Sequence, residues 1–348
     1  MSVSIAGRPI GPEQAPYIIA ELSANHNGHL SRALQTIEAA KRSGADAVKL
    51  QTYSAETMTI DCDRPEFYIQ GGLWDGYKLF DLYRWAETPF AWHRPIFEHA
   101  RRLGITVFST PFDESAVDLL EELGAPAYKI ASFEAIDLPL IRYVASTGKP
   151  MVISTGMASE EEIAEAVATA RDAGCRELIL LHCISSYPAP VEQSNLRQIP
   201  ELAQRFQVLS GLSDHTLGTT AAVVAVALGA CVVEKHFTLS RADKGPDSEF
   251  SIEPHELERL CHEAHDAWLC LGASGYQRQS VEQGNKAFRR SIYFVRDLPI
   301  GSRVSAEDIR RIRPGFGLAP KHFEALLGRR LKVAVRCGTP VSWELFDE

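Results

Sequence analysis

Eight short runs of apolar and β-branched residues recur between Tyr17 and Phe237, and they limit the folds open to this chain. Runs that are apolar on both faces are typical of parallel strands buried between layers of helices. The predicted strands are Tyr17–Ser23, Ala47–Tyr53, Thr106–Phe112, Ala127–Ser132, Met151–Gly156, Leu178–Cys183, Gln207–His215 and Cys231–Phe237.

Amphipathic segments separate these runs. Residues 30–44 and 159–174 repeat apolar residues three and four positions apart, and each segment ends at a glycine. Ser159 and Glu162 have the spacing of a capping box, which predicts that a helix begins there. Eight alternations in about 270 residues favour an α/β fold of the (β/α)8 TIM barrel type over an open doubly wound sheet.

Two segments depart from the alternation. Residues 60–91 contain the aromatic, Gly-rich GGLWDG, and an insertion after the second strand lies where substrate loops belong. A structural loop that packs its aromatic rings on the barrel is an equal alternative. Beyond Leu271, short strands alternate with turns. We therefore expect a barrel over residues 1–272, a linker over 273–286 and a small domain over 287–348.

Composition excludes several classes of function. The formal net charge of -9 argues against nucleic-acid binding, which needs a basic face. The seven cysteines are odd in number and include no C-x-x-C pair, which argues against a disulfide framework or a zinc site. No run approaches the length of a membrane helix, and the N-terminal segment lacks the features of a signal peptide. We therefore expect a cytoplasmic protein without a membrane partner.

Polar residues cluster at the predicted strand ends, which open on one face of a barrel. Several lysines and many hydroxyls there suit an anionic, oxygen-rich ligand. An isolated Ser or Thr is more simply explained as a structural group, so the prediction depends on the whole set. The set is Glu21, Asn25, His26, Lys49, Gln51, Ser109, Thr110, Lys129, Ser132, Ser154, Thr155, Ser185, Tyr187, Ser213, Asp214, His215, Glu234, Lys235 and His236.

Two kinds of chemistry remain open at these ends. His215 and His236 end consecutive strands, so a metal ion could bridge them, although their spacing alone favours local hydrogen bonding of one or both. Lys49 or Lys129 could instead form a Schiff base, as in barrel aldolases. Position in the sequence does not decide between these alternatives.

A series of motifs resembles the sialic acid synthase family over nearly the whole chain. The resemblance implies a phosphoenolpyruvate-using TIM barrel joined to a C-terminal antifreeze-like (SAF, β-clip) domain. It also implies a domain-swapped homodimer, in which the small domain of one subunit closes the active site of the other. The motifs are AELSANHNG, AVKLQTY, STPFD, YKIASFE, STGMAS, SSYPAP, GLSDHT, EKHFTL and RPGFGL.

The resemblance also implies roles for individual residues. His215 and His236 would bind a divalent ion, usually manganese, with magnesium and cobalt as alternatives. Arg313 would contact an N-acetyl group of the sugar in the partner's active site, and Thr110 is expected to touch substrate. The predicted phosphoenolpyruvate site is Lys49, Lys129, Ser132, Ser154, Ser185 and Ser213, with Ser185 replacing an Asn of N-acetylneuraminate synthases. The residues expected to face the sugar or the reacting carbons are Glu21, Gln51, Tyr187 and Asp247, and Glu21, Lys49, Lys129 and Asp247 are the predicted catalytic groups.

The forms ELSANHNG, GGLWDG and PDSEFS look like the pseudaminic acid branch of this family, and Ser248 stands where neuraminate synthases have His. That branch condenses phosphoenolpyruvate, 2,4-diacetamido-2,4,6-trideoxy-L-altrose and water to pseudaminic acid and phosphate. A neuraminate or legionaminate synthase is the alternative with the same chemistry. A Schiff-base aldolase and a non-enzymatic carbohydrate-binding protein are more distant.

Overall fold

Eight parallel strands close into a barrel in the computed structural model, which describes residues 2–347. A short antiparallel hairpin, β1 (Val3–Ile5) and β2 (Arg8–Ile10), precedes the barrel in the chain. Barrel neighbours follow chain order, and the last strand pairs with both the first and the one before it, which confirms the predicted (β/α)8 barrel. The barrel strands are β3 (Tyr17–Glu21), β4 (Ala47–Thr52), β5 (Thr106–Pro111), β6 (Tyr128–Ile130), β7 (Met151–Ser154), β8 (Leu178–Cys183), β9 (Leu209–Asp214) and β10 (Val232–His236).

Helices form the outer layer, as the amphipathic pattern predicts. The capping box is present: Ser159 Oγ accepts a hydrogen bond from Glu162 N at 3.2 Å, and Glu162 Oε2 accepts one from Ser159 N at 2.7 Å. The helices are α1 (Leu30–Arg42), α2 (Ala55–Met58), α3 (Leu79–Ala86), α4 (Phe90–Leu103), α5 (Glu114–Glu122), α6 (Leu138–Ser146), α7 (Glu160–Asp172), α8 (Gln198–Phe206), α9 (Thr220–Ala227), α10 (Pro254–Leu271) and α11 (Phe323–Leu326). Among the described residues, no helix combines the length and the apolar character needed to cross a bilayer.

The hairpin of β1 and β2 was not predicted, and it closes one end of the barrel. Val3, Ile5 and Ile10 are buried together with residues from the first halves of the barrel strands, such as Tyr17 and Phe108. Burying each of these aliphatic side chains contributes about 1.5–3 kcal/mol. Because the hairpin fills the N-terminal end of the barrel, a ligand can enter only from the C-terminal end, which we call the barrel mouth.

The insertion is partly helical and not simply a loop. Residues 60–91 include α3 and the beginning of α4, and Tyr77 stacks on Trp85 with ring centroids 6.0 Å apart. Trp74 is half-buried and reaches residues that follow β10. The insertion therefore contributes side chains to the same end of the barrel as the strand C-termini.

The chain divides into two compact units, one ending at Gly272 and the other beginning at Ala273. In the second unit, β11 (Ser291–Phe294) pairs antiparallel with β12 (Ile309–Ile312). This unit has a hydrophobic core of its own. The core consists of Ile292, Phe294, Val304, Ile309, Leu326, Leu331, Val335, Val341 and Phe346.

Candidate active site

A buried group of charged and polar side chains joins neighbouring strand ends at the barrel mouth. Lys49 Nζ lies 2.7 Å from Glu21 Oε2 and 3.6 Å from Glu234 Oε1. Lys49 also donates a hydrogen bond to Thr110 Oγ1 at 3.0 Å, and Gln51 Nε2 donates one to Glu21 Oε1 at 3.1 Å. Strand register produces these contacts, because Glu21 pairs with Lys49 and Gln51 pairs with Thr110. The structure thus brings five residues of the predicted set, Glu234 among them, into one connected group.

The charges in this group strongly affect one another. Burial raises the pKa of Glu21 to about 7, although the nearby Lys49 opposes the rise. Burial by itself would lower the pKa of Lys49, but Glu21 and Glu234 reverse that effect and raise it. Lys49 therefore stays protonated and suits an anion better than Schiff-base formation. Burial lowers the pKa of Lys129, which donates to the Ile130 carbonyl at 2.9 Å and keeps the Schiff-base alternative chemically open.

Small hydroxyl residues form a cradle on the opposite strands. Gly156 N donates to Ser132 Oγ at 3.2 Å. A Cβ on Gly156 would lie 2.3 Å from Ser185 Oγ and 2.8 Å from Ser132 Oγ, so glycine keeps this space open. Ser154 Oγ is buried and has no hydrogen-bond partner among residues 2–347, and Ser213 is buried on β9. A free hydroxyl and neighbouring serine hydroxyls suit phosphate or carboxylate oxygens.

The two predicted metal ligands lie side by side, with ring centroids of His215 and His236 5.4 Å apart. His236 Nδ1 is buried without a hydrogen-bond partner in the part of the chain that the structure describes. Burial, with His215 nearby, holds the pKa of His236 well below its usual value, so the ring is neutral as a metal requires. His215 Nδ1 donates to the Ile184 carbonyl at 2.9 Å, which leaves Nε2 available. These donors fit a divalent ion.

Within residues 2–347, a cluster of three potential ligands lies elsewhere. Glu253, His255 and Glu256 at the start of α10 have ligand atoms within 4.8 Å of one another. Both glutamates pair with Arg241, and Glu256 caps the helix by accepting a hydrogen bond from Glu253 N. This arrangement explains the cluster as a helix start. The histidine pair supplies two protein ligands, so substrate or water would have to complete an ion's coordination.

Asp247 and Tyr187 complete the predicted sugar side of the mouth. Asp247 Oδ2 accepts hydrogen bonds from Ser23 Oγ at 2.5 Å and from Ala24 N at 3.2 Å, and burial raises its pKa. The ring of Tyr187 lies 4.3 Å from that of His215. Burial also raises the pKa of Tyr187, so its hydroxyl keeps its proton. The structure thus places Tyr187 beside the histidine pair, and it places Asp247 beside the end of β3, the strand that carries Glu21.

Other residues in the predicted mouth are structural. Lys235 Nζ lies 2.7 Å from Asp214 Oδ2 and donates to the Thr216 carbonyl at 2.6 Å. Successive residues of a strand face opposite sides, so this pair points away from the faces that carry His215 and His236. The expectation that Asp214 and Lys235 line the mouth is therefore wrong.

Two residues that follow β3 hydrogen-bond to neighbouring loops and so have a structural role as well. Asn25 Nδ2 donates to the Phe237 carbonyl at 3.0 Å and to Ser251 Oγ at 2.9 Å. His26 Nε2 lies 3.2 Å from Thr88 Oγ1.

Arg313, the last of the predicted site residues, belongs to the second unit, where it is exposed.

Two groups at the mouth had no predicted role. Glu134, in the turn after β6, has an orphaned Oε2 among the described residues, and burial raises its pKa to about 7 against the effect of Lys129. For Cys183, burial would raise the pKa, but the adjacent His215 ring lowers it to about 7. Glu134 lies in a turn, so no periodic pattern in the sequence predicts its place at the mouth.

Comparison with known proteins identifies relatives of the whole chain. Residues 36–276 match the NeuB family and residues 289–347 match the SAF domain. The chain is 42% identical to the pseudaminic acid synthase of Campylobacter jejuni over 322 residues, which are 92% of this chain and 94% of that enzyme. It is 38% identical to the N,N'-diacetyllegionaminic acid synthase of Legionella pneumophila, over 97% of this chain and 96% of that one.

A solved structure gives the same result. The N-acetylneuraminic acid (sialic acid) synthetase of Leptospira borgpetersenii, in complex with citrate, matches with a TM-score of 0.74 and 32% identity. The match covers 82% of this chain and 95% of that one. These findings confirm the resemblance that the motifs carry: the chain belongs to the NeuB family of sialic acid synthases.

Proposed function

We propose that this chain is a pseudaminic acid synthase, which condenses phosphoenolpyruvate with 2,4-diacetamido-2,4,6-trideoxy-L-altrose and water and releases phosphate. One observation carries the reaction class: a buried Lys49–Glu21 pair shares the barrel mouth with a hydroxyl cradle and two histidines. The similarity to the Campylobacter enzyme supports the choice of sugar. A neuraminic or legionaminic precursor is the rival substrate.

Phosphoenolpyruvate carries a carboxylate and a phosphate, and the mouth offers two cations for them. Lys49 and Lys129 are buried there, so their attraction for anions is stronger than it would be in water. The unpaired Ser154 hydroxyl of the described chain donates to a ligand oxygen from the cradle. We assign Ser132, Ser185 and Ser213 to the same ligand.

The reaction forms one C–C bond and breaks one C–O bond. Carbon 3 of phosphoenolpyruvate attacks the sugar's aldehyde carbon, whose oxygen becomes a hydroxyl, and carbon 2 becomes cationic. Water adds its oxygen to carbon 2 and gives a proton to Glu21, whose pKa near 7 suits that exchange. The C–O bond to phosphate then breaks, phosphate leaves with the proton of the new carbon-2 hydroxyl, and carbon 2 becomes the keto carbon. The proton that water gave to Glu21 balances the one that converts the aldehyde oxygen to a hydroxyl. Lys49 and Lys129 stabilise the negative charge throughout.

His215 and His236 would hold a divalent ion, for which manganese is the first choice and magnesium and cobalt the alternatives. When bound, the ion supplies Lewis-acid polarisation of the aldehyde. The unpaired His236 Nδ1 among the described residues supports this assignment. Tyr187 and Asp247 orient the sugar beside them.

We also propose the swapped homodimer, with Arg313 reaching the partner's mouth. Loops that follow consecutive barrel strands expose large apolar side chains, as surfaces that bind another protein do. The exposed apolar residues of these loops are Phe133, Ile136, Met157, Val191 and Leu217.

All seven cysteines are free, which supports the proposal that the protein works in a reducing cytoplasm.

The test is phosphate release from phosphoenolpyruvate with manganese, with and without a chelator. The altrose sugar, the legionaminic precursor and N-acetylmannosamine are offered separately. Chelator-sensitive release with the altrose sugar alone is expected. Release with another sugar would overturn the substrate, and release that ignores the chelator, with borohydride trapping of a lysine adduct, would favour the aldolase.

A further inference from the structure

We propose that Trp74, Tyr187 and Phe250, which we call the aromatic wall, recognise the methyl group at carbon 6 of the sugar and exclude sugars with a 6-hydroxyl. The inference rests on the proposed function, because it names the part of the same site that selects a 6-deoxy sugar. The side chains come from three different segments: the insertion after β4, the loop after β8 and the loop after β10.

The three rings form one cluster beside the histidine pair. Tyr187 lies 5.6 Å from Trp74 and 5.1 Å from Phe250, measured between ring centroids, and Trp74 lies 6.3 Å from Phe250. The cluster touches both histidines, because Tyr187 is 4.3 Å from His215 and Phe250 is 4.8 Å from His236. A sugar whose aldehyde end reaches the histidines therefore passes along this wall.

The reach of the sugar agrees with this placement. A six-carbon chain with bonds of about 1.5 Å extends roughly 6 Å from carbon 1 to carbon 6. The wall begins at Tyr187, whose ring lies 4.3 Å from that of His215, and it continues outward to Trp74, whose ring lies a further 5.6 Å from that of Tyr187. Carbon 6 is the end away from the reacting carbon, so its substituent meets the outer part of the wall.

The indole of Trp74 presents carbon to that substituent. Its one polar atom, Nε1, is already engaged, because it donates to the Pro246 carbonyl at 3.0 Å. Phe250 is buried and has no polar side-chain atom. A hydroxyl pressed against these rings would lose its hydrogen bonds to water without replacement, whereas a methyl group would gain contact. The surface thus prefers a deoxy carbon.

Trp74 can be removed without emptying a closed core. Trp74 also borders a cavity of about 410 Å³, whose lining includes Leu73, Tyr77, Trp85 and Pro246 together with the charged residues Arg241, Lys244 and Glu249. Because space already exists there, truncating the indole widens an open region of the insertion. We therefore expect variants at this position to fold.

The experiment compares kcat/KM for the altrose sugar with kcat/KM for the same sugar bearing a 6-hydroxyl. The wild type should prefer the 6-deoxy sugar by about 10- to 100-fold, the range expected of an apolar surface that must reject a hydroxyl. Trp74→Ala should reduce the preference to about threefold or less, and Trp74→Gln, which adds polar atoms, should raise use of the 6-hydroxy sugar further. Trp74→Phe should keep most of the preference. The KM for phosphoenolpyruvate should stay within about twofold in all three, which shows that they are folded.

Tyr77→Ala is the matched control, because Tyr77 belongs to the same insertion but stacks on Trp85 and is 44% exposed. It should leave the preference unchanged. A preference that survives in both Trp74→Ala and Trp74→Gln would overturn the role of the wall. If the wild type turned over neither altrose sugar, the proposed function itself would fail, which is a different outcome.

Discussion

Lys49 Nζ lies 2.7 Å from a carboxylate oxygen of Glu21, and both side chains are almost completely buried. The register of β3 and β4 sets this contact, because the two residues pair across the sheet. Removing the charge of one partner leaves the other as an unpaired charge buried in the barrel, which destabilises the folded protein. The pair therefore belongs to the proposed anion site and also to the packing of the mouth, and substitutions must separate these two effects.

Glu21→Gln separates them, because glutamine keeps the shape and an oxygen that accepts from Lys49. We expect kcat to fall about 10²- to 10⁴-fold, the usual contribution of a general base, while the protein stays folded. Single-turnover phosphate release measures the loss, and thermal denaturation measures the fold. Glu38→Gln, at a surface position, is the control. Near-normal turnover in Glu21→Gln would remove Glu21 from the proton transfer.

Gly156→Ala tests the cradle. The new methyl group would lie 2.3 Å from Ser185 Oγ and 2.8 Å from Ser132 Oγ, so the serines must turn away from their present positions. We expect KM for phosphoenolpyruvate to rise about 10- to 100-fold, equivalent to one or two lost hydrogen bonds to a charged ligand. Gly284→Ala is the matched control, because it makes the same substitution where nothing lies within 4 Å of the added Cβ. An unchanged KM in Gly156→Ala would place the anion elsewhere.

His236→Ala tests the ion site by binding and not by turnover. Since His236 Nδ1 is orphaned within the described residues, its loss should weaken manganese binding at least about 10-fold, measured by electron paramagnetic resonance of free manganese. His255→Ala is the informative comparison, because His255 belongs to the surface cluster of potential ligands at the start of α10. Manganese binding that depends on His255 and tolerates His236→Ala would refute the assignment.

Glu134 makes stability depend on pH. Burial raises its pKa to about 7 in the folded protein, well above its ordinary value of 4.5, so folding favours the protonated form. Its contribution is therefore complete below about pH 4.5 and is lost as the pH rises through 7. The free energy of unfolding of the wild type, relative to Glu134→Gln, should fall by about 1–3 kcal/mol across that range.

Urea denaturation at pH 5, 6, 7 and 8 measures the difference. Glu122→Gln makes the same chemical change at an exposed position and should track the wild type at every pH. If the curves of the wild type and Glu134→Gln ran parallel, the carboxyl of Glu134 would be titrating at its ordinary value.

The barrel and most of its mouth could be predicted because both depend on short periods in the sequence. Strand alternation places Glu234 and His236 on one face, and a parallel barrel gathers all strand ends at one opening. The same alternation shows why Asp214 and Lys235 were wrongly expected there. They are strand-end residues too, but they lie on the other face and pair with each other at 2.7 Å.

Features that depend on long-range contacts could not be predicted. The hairpin strands Val3–Ile5 and Arg8–Ile10 have three residues each, too few to show a period, and they become ordered by packing against the barrel. Trp74 meets the Pro246 carbonyl across 172 residues of sequence. The pKa of Glu134 likewise arises from burial that the folded chain creates. In each case a distant segment supplies the partner.

Arg313 gives the sharpest test of the proposed homodimer. It is exposed in its own unit, and an arginine that contacts an uncharged acetamido group contributes binding without taking part in bond formation. Arg313→Ala should therefore raise KM for the sugar about 10- to 100-fold and change KM for phosphoenolpyruvate little. Arg310→Ala, an exposed arginine on β12, should change neither. If subunits swap, mixing Arg313→Ala with Glu21→Gln leaves one intact site in each mixed dimer. At a sugar concentration well below the raised KM, random exchange then restores about a quarter of wild-type activity. A mixture no more active than its two parents would mean that Arg313 does not act across subunits.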